Sequence, residues 1–274
     1  MMQPSQIVRR QIWREGGVSS GNRSIPEETA VALTYNGGTY AVMMATPQDL
    51  EDFAVGFSVS EGLISSSTDI DSLEIVPLDG GVELRTWLSK PKADRLQERR
   101  RHIAGPTGCG LCGIDSIAEA LRPAAVMGLG RQFSSDQIMA AMRKLPLLQK
   151  LNAETRAVHA AAFWNSTSGI VALREDVGRH NALDKLSGAL ARASVVGNDG
   201  IILLTSRVSV EMVQKSAVIG APLIVSVSAP TALAVRMADA AGITLAAIAR
   251  ADGFEVFTHP CRISSEAVVN VAYR

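Results

Sequence analysis

Gly200-Ile201-Ile202-Leu203-Leu204-Thr205 decides the fold. Its apolar residues follow one another without polar alternation, the pattern of a strand buried on both faces. The same texture returns in Pro222 to Val227 and in Thr244 to Ala249, and helical stretches, Val210 to Ile219 and Thr231 to Ala241, separate the runs. Strand, helix and strand in this order predict a parallel sheet with helices on both faces. Upstream, Arg179 to Ala193 reads as a helix, and Ala157 to Asn165 and Gly169 to Glu175 as strands around a Ser166-Thr167-Ser168-Gly169 turn. Ser134 to Leu148 is an amphipathic helix capped by Ser134 or Ser135. Residues 127–274 therefore read as an α/β domain.

Residues 25–104 have a different texture, that of a smaller α+β domain. Glu28 to Thr34 and Thr39 to Ala45 alternate as strands around Asn36-Gly37-Gly38, a strong hairpin signal. Thr46-Pro47-Gln48-Asp49-Leu50 then reads as a helix start, with Thr46 as N-cap and Pro47 in the first turn. Leu50, Phe53, Ala54 and Phe57 fall on one helical face. Ile70 to Pro77 and Gly81 to Leu88 read as two more strands, and the charged run Pro91 to His102 as a solvated helix face. Residues 1–24 lack periodicity and are expected to be a flexible arm.

The 274 residues carry 27 Lys plus Arg against 27 Asp plus Glu. Net charge thus gives no push toward nucleic acid or an anionic membrane. No apolar run is long enough to span a bilayer. Met1 to Glu15 lacks the apolar core of a secretory signal. Three cysteines make no disulfide framework for a chain of this size, so a reducing cytoplasm is the expected location.

Two of those cysteines stand in Gly105-Pro106-Thr107-Gly108-Cys109-Gly110-Leu111-Cys112-Gly113, within a loop and helix start over residues 105–126. Glycine at this density leaves the sulfurs uncovered. The following Ser116-Ile117-Ala118-Glu119 has the form of a capping box, and a helix N-terminus favours thiolate. A reactive pair is chemically reasonable there. Adding His259 and Cys261 would make a Cys₃His set, but His-x-Cys is a poor chelate and no metal site is expected.

Ligands of open parallel sheets bind beyond the carboxyl ends of the strands. Here those ends carry Thr205, Ser206 and Arg207, then Ser226 and Ser228, then Arg250 and Asp252, a set suited to anions. The densest polar cluster is Glu175-Asp176-Val177-Gly178-Arg179-His180-Asn181-Ala182-Leu183-Asp184-Lys185. It sits at a strand-to-helix junction, so Arg179, His180 and Asn181 would point donors at a bound group.

Taken in order, these motifs resemble the formate dehydrogenase accessory sulfurtransferases, the FdhD proteins. The resemblance runs from about Glu27 to Arg262. It rests on Met44-Ala45-Thr46-Pro47 with Asp49 to Phe57, Ser60-Glu61-Gly62, the Cys109 and Cys112 loop, His159-Ala160-Ala161, Asp176 to Lys185, and Thr205-Ser206-Arg207. It implies a sulfur relay: sulfur from a cysteine desulfurase, carried as a persulfide, passes to the molybdenum bis(molybdopterin guanine dinucleotide) cofactor needed by formate dehydrogenase. It also implies a cytidine-deaminase-like three-layer α/β/α domain and a homodimer. Cys109 would carry the persulfide, with Cys112 as its companion. Phe257-Thr258-His259-Pro260-Cys261-Arg262 matches the place where the family contacts the pterin–guanine dinucleotide, although Cys261 has no chemical role in that match. Arg207, Ser206, Arg179 and His180 are further expected contacts to the cofactor, and hydroxyls with Arg207, Arg250 or Arg262 at the sheet edge suit its phosphates. No permanent cofactor is expected, and neither nucleic acid nor membrane is an expected partner.

Zinc deaminases, which share the implied fold, want His-x-Glu ahead of Pro-Cys-x-x-Cys. Here His159-Ala160-Ala161 lacks the glutamate and follows the cysteines, which argues against deamination. A thioredoxin-like pair would follow a central strand, not a charged segment. The remaining alternative is a non-catalytic chaperone that binds the cofactor, with a structural or incidental cysteine pair.

Overall fold

The structure, a computed structural model, describes residues 2–92, 121–128 and 130–264. Cys109, Cys112 and the Ser116 capping box lie outside the described residues. The fold is mixed α/β, as the apolar runs predict, but the chain does not divide at residue 127. One compact unit takes Met1–Arg122, Gln149–Ala161 and Ala172–Val195. The other takes Pro123–Leu148, Ala162–Val171 and Val196–Arg274.

The first unit holds a four-stranded sheet in the order β4-β3-β6-β5. Strands β3 (Thr29–Tyr35) and β4 (Gly38–Ala45) form the expected hairpin, and β5 (Ile70–Leu78) pairs antiparallel with β6 (Gly81–Leu88). Asn36 and Gly37 both take positive φ at the first turn, which is what Asn-Gly is suited to. Alternate residues Val31, Leu33, Tyr35, Val82 and Leu84 face inward and pack with Phe53, Ala54 and Phe57 of helix α1 (Leu50–Ser60). Helix α4 (Arg179–Arg192) crosses α1 at van der Waals contact. A Cβ on Gly56 would lie 1.7 Å from the carbonyl oxygen of Asp184, and one on Gly188 1.9 Å from that of Asp52. Only glycine fits either position.

The expected flexible arm is instead an antiparallel ribbon, β1 (Ser5–Arg14) with β2 (Gly17–Pro26). Its sequence shows no apolar alternation because neither face is buried in a core. The ribbon is fixed by its ladder and by the short helix α3 (Lys150–Thr155), whose Glu154 accepts hydrogen bonds from Ser5 and Ser24.

The second unit contains the predicted parallel strands β10 (Gly200–Leu204), β11 (Leu223–Ser226) and β12 (Thr244–Arg250), joined through helices α5 (Val210–Ile219) and α6 (Ala232–Ala240). Every residue of β10 and β11 is buried, as covered strands require. The sheet order is β13-β12-β11-β10-β8-β9. β8 (His159–Asn165) and β9 (Gly169–Asp176) enter as a hairpin whose residues 162–171 belong to this unit. The strand β13 (Gly253–Thr258) was not foreseen; it runs back antiparallel along β12. Helix α2 (Ser135–Leu148) follows Ser134, whose hydroxyl and backbone exchange hydrogen bonds with Gln137. β7 (Phe133–Ser134) pairs with β14 (Ile263–Ser264).

Candidate functional site

In the first unit the polar cluster closes around Asp176. One carboxylate oxygen accepts from the Gly178 N–H at 2.7 Å and from Asn181 Nδ2 at 3.0 Å. The other accepts from the Thr46 N–H at 3.0 Å and pairs with Lys185 Nζ at 2.6 Å. Lys185 also donates to the Thr46 carbonyl at 2.8 Å, and the Thr46 hydroxyl accepts from the Val177 N–H at 3.2 Å. Thr46 is therefore not the N-cap of α1. That place falls to Asp49, in the left-handed region at φ 53°, because Thr46 is drawn into tertiary bonds. A Cβ on Gly178 would sit 2.8 Å from Asn181 Nδ2, so a side chain there would have to displace the Asn181 amide from Asp176.

The lock holds the turn that carries Arg179 and His180 at the start of α4, whose first turn no side chain caps. Arg179 Nε is buried and has no hydrogen-bond partner among the described residues. His159, at the start of β8, belongs to the same electrostatic group. Burial pushes its pKa down, and the neighbouring Arg179 and His180 side chains add to that against the pull of Asp176. Beside it, Glu175 uses both oxygens to accept the N–H groups of Leu151 and Asn152 at the start of α3, each at 2.8 Å. Burial nonetheless raises its pKa.

In the second unit the carboxyl ends of β10 and β11 are tied side by side. Ser226 Oγ donates to the Ser206 carbonyl at 2.6 Å and accepts from the Ser228 N–H at 3.1 Å. The Thr231 N–H reaches the Val208 carbonyl at 2.9 Å, and Thr231 caps α6. Ser206 is buried, with its hydroxyl on the Arg207 carbonyl, while Arg207 and Arg250 are exposed. Ile248 closes this edge at φ 53°, donating its N–H to the Ser228 carbonyl at 3.3 Å. A β-branched residue pays for that conformation, and nothing in its sequence signals it.

Phe257 to Arg262 lie elsewhere. Thr258 pairs with Leu245, so the segment sits at the amino end of β12, a strand's length (roughly 20 Å) from Arg250. Most of its polar atoms are occupied. Thr258 Oγ1 accepts from the Leu245 N–H and donates to the Ile243 carbonyl, and Arg262 is buried with hydrogen bonds to Thr244 Oγ1 and the Gly128 carbonyl. His259 Nε2 lies 2.8 Å from the Asp239 carbonyl. Pro260 and Cys261 are exposed, and Phe257 stands partly clear of the surface. Arg262 thus does not share the sheet edge with Arg207 and Arg250. Arg179 and His180 belong to the first unit, and Ser206, Arg207 and Phe257 to Arg262 to the second. Sequence reasoning missed the roles of Thr46, Asp176 and Lys185; the nine-residue step from Asp176 to Lys185, inside one polar motif, was the available signal.

Fold and polar residues together define an α/β protein with its polar side chains gathered at strand ends and at a strand-to-helix turn, the places where this class binds ligands. The chain belongs to the FdhD/NarQ family, whose model matches residues 26–264. The sulfur carrier protein FdhD of Agrobacterium fabrum is 52% identical over 259 residues, 93% of this chain and 95% of that protein. The protein of the same name from Cupriavidus necator is 47% identical over 255 residues, 93% of this chain and 88% of that one. A crystal structure from Desulfotalea psychrophila, described as a formate dehydrogenase accessory protein, is 27% identical with a TM-score of 0.76, covering 96% of this chain and all of that one. No helix among the described residues is long and apolar enough to cross a membrane.

Proposed function

We propose that this protein is a sulfur carrier that accepts sulfur from a cysteine desulfurase and delivers it to the molybdenum bis(molybdopterin guanine dinucleotide) cofactor of formate dehydrogenase. The observation that carries the reading is the glycine-flanked Cys109-x-x-Cys112 in a chain of the FdhD/NarQ family, with relatives at 52% and 47% identity named sulfur carriers. In the first transfer the Cys109 thiolate attacks the terminal sulfur of the donor's persulfide. The Cys109 sulfur–sulfur bond forms, the donor's breaks, and the donor cysteine leaves as thiolate. Cys112 is the companion thiol. The cofactor is substrate here, and Arg179, His180, Ser206, Arg207 and the Phe257 to Arg262 segment are proposed contacts for its phosphates and guanine moieties. The protein works in the cytoplasm as a homodimer.

Intact mass of the purified protein, after incubation with a cysteine desulfurase and cysteine, tests the reading. A reductant-sensitive gain of one sulfur atom, absent in Cys109→Ala, is the expected result. No gain in mass, with the cofactor still bound, would replace sulfur transfer by chaperoning.

A further inference from the structure

The β1–β2 ribbon is the part of the molecule that sulfur transfer leaves unexplained. It precedes the matched family region and forms a two-stranded sheet of its own, so among the described residues neither strand has a second neighbour. Its foot is held to α3 by Ser5 and Ser24 on Glu154 and by Arg23, which donates to the Thr155 carbonyl at 3.0 Å. Beyond the foot it is exposed and apolar at its tip. Trp13 is 75% exposed and pairs across the ladder with Val18, 53% exposed; Ile7, 75% exposed, stands on the same face.

The ribbon is also basic. Residues 1–26 contain Arg9, Arg10, Arg14 and Arg23 against Glu15, in a chain whose charges balance only when these are counted. Midway along it, Arg9, Arg10, Gln11, Ser20, Gly21 and Asn22 line a depression where Gly21 leaves room opposite Arg10.

We propose that this ribbon is a docking arm for an acidic, extended segment of a protein partner, and that the partner is the recipient apoenzyme. Carboxylates fit the arginine-lined depression. The unpaired edges accept a further strand by backbone hydrogen bonds, and the Trp13–Val18 pair supplies an aromatic anchor of the kind that dominates interfaces. Ribbon-to-ribbon pairing of two copies would oppose like charges. A nucleic acid would leave three large apolar side chains facing its phosphates. The choice of apoenzyme rests on the proposed function, since the related solved structure is described as an accessory protein of formate dehydrogenase.

The test is binding of the full-length protein to purified apo-formate dehydrogenase from the same organism, at low and high salt. Wild type is compared with Arg9→Glu/Arg10→Glu, Trp13→Ser/Val18→Ser and Cys109→Ala. The expected result is at least tenfold weaker binding for each ribbon variant, salt-weakened binding for wild type, and wild-type affinity for Cys109→Ala. The ribbon variants keep the wild-type circular dichroism, because Arg9, Arg10, Trp13 and Val18 lie in no core. Ribbon variants that bind as tightly as wild type overturn the docking arm and leave sulfur transfer standing. A wild-type protein that ignores the apoenzyme overturns the assigned partner, while sulfur loading on Cys109 still judges the proposed function by itself. Loss of dimer mass in the ribbon variants, or ribbon-dependent binding to a double-stranded DNA probe or anionic vesicles, overturns it in favour of those occupants.

Discussion

Lys185 Nζ stands 2.6 Å from Asp176 Oδ2, and neither side chain reaches solvent. The pair sits beneath the Arg179–His180 turn, with the ammonium also 5.8 Å from the centre of the Phe53 ring. A buried pair of this kind is worth little against a well-packed apolar substitute, but breaking it strands a charge. Lys185→Met is therefore expected to lose about 3–5 kcal/mol in urea unfolding, and Lys185→Met/Asp176→Asn to recover part of that. A single variant as stable as wild type would show that Asp176 is satisfied without its cation.

The crossing of α1 and α4 gives a second expectation. With the Gly188 Cβ position 1.9 Å from a backbone oxygen, alanine cannot be absorbed by turning a side chain. Gly188→Ala and Gly56→Ala must push the helices apart, which costs more than the roughly 1–3 kcal/mol of ordinary overpacking. Little folded protein should be recovered from either. A Gly188→Ala protein with an unchanged melting temperature would contradict the geometry.

His159 sets an acid dependence. Its folded pKa lies below the ordinary histidine value of 6.5, first through burial and then through Arg179 and His180. Between those two values the unfolded chain binds the proton more strongly. Stability contributed here therefore falls as pH drops from 6.5 toward the folded pKa, and levels off below it. His159→Gln should flatten that part of the curve of urea midpoint against pH. An unaltered slope would place the acid sensitivity elsewhere.

The Thr258 hydroxyl bridges the Ile243 carbonyl and the Leu245 N–H where β12 and β13 slip register. Thr258→Val leaves both groups buried without that partner and should cost about 1–3 kcal/mol in thermal or urea unfolding. If guanine nucleotide affinity is retained in the folded fraction, Thr258 supports the segment without touching the ligand. A large loss of affinity at unchanged stability would make it a direct contact.

The central strands of the second unit were legible because burial on both faces writes itself as an unbroken apolar run. The Asn36-Gly37 hairpin was legible because its turn needs positive φ at both residues. Thr46 misled for a physical reason. A threonine before proline satisfies the local rules of a helix cap, while its actual partners lie about 130 residues downstream and leave no local trace. The segment Phe257 to Arg262 was placed with the wrong arginines because β13 turns back along β12, so adjacency in sequence to Arg250 carries the chain to the opposite edge of the sheet. The ribbon was missed because a ladder with two wet faces has no hydrophobic period.

The discontinuity of the first unit bears on how the chain is born. The sheet of β3 to β6 and helix α1 are synthesised early, but α4, which fills the groove at Gly56, comes about 130 residues later. At about 5–20 residues per second, α1 waits roughly 7 to 25 seconds on the ribosome with that groove open. During this interval Asp52 has neither Arg174 nor Arg192, and Thr46 has no Asp176. The nascent first unit is thus a natural client for a chaperone, and synonymous codon changes between Ser60 and Arg179 that lengthen the wait should lower yield without altering a single residue.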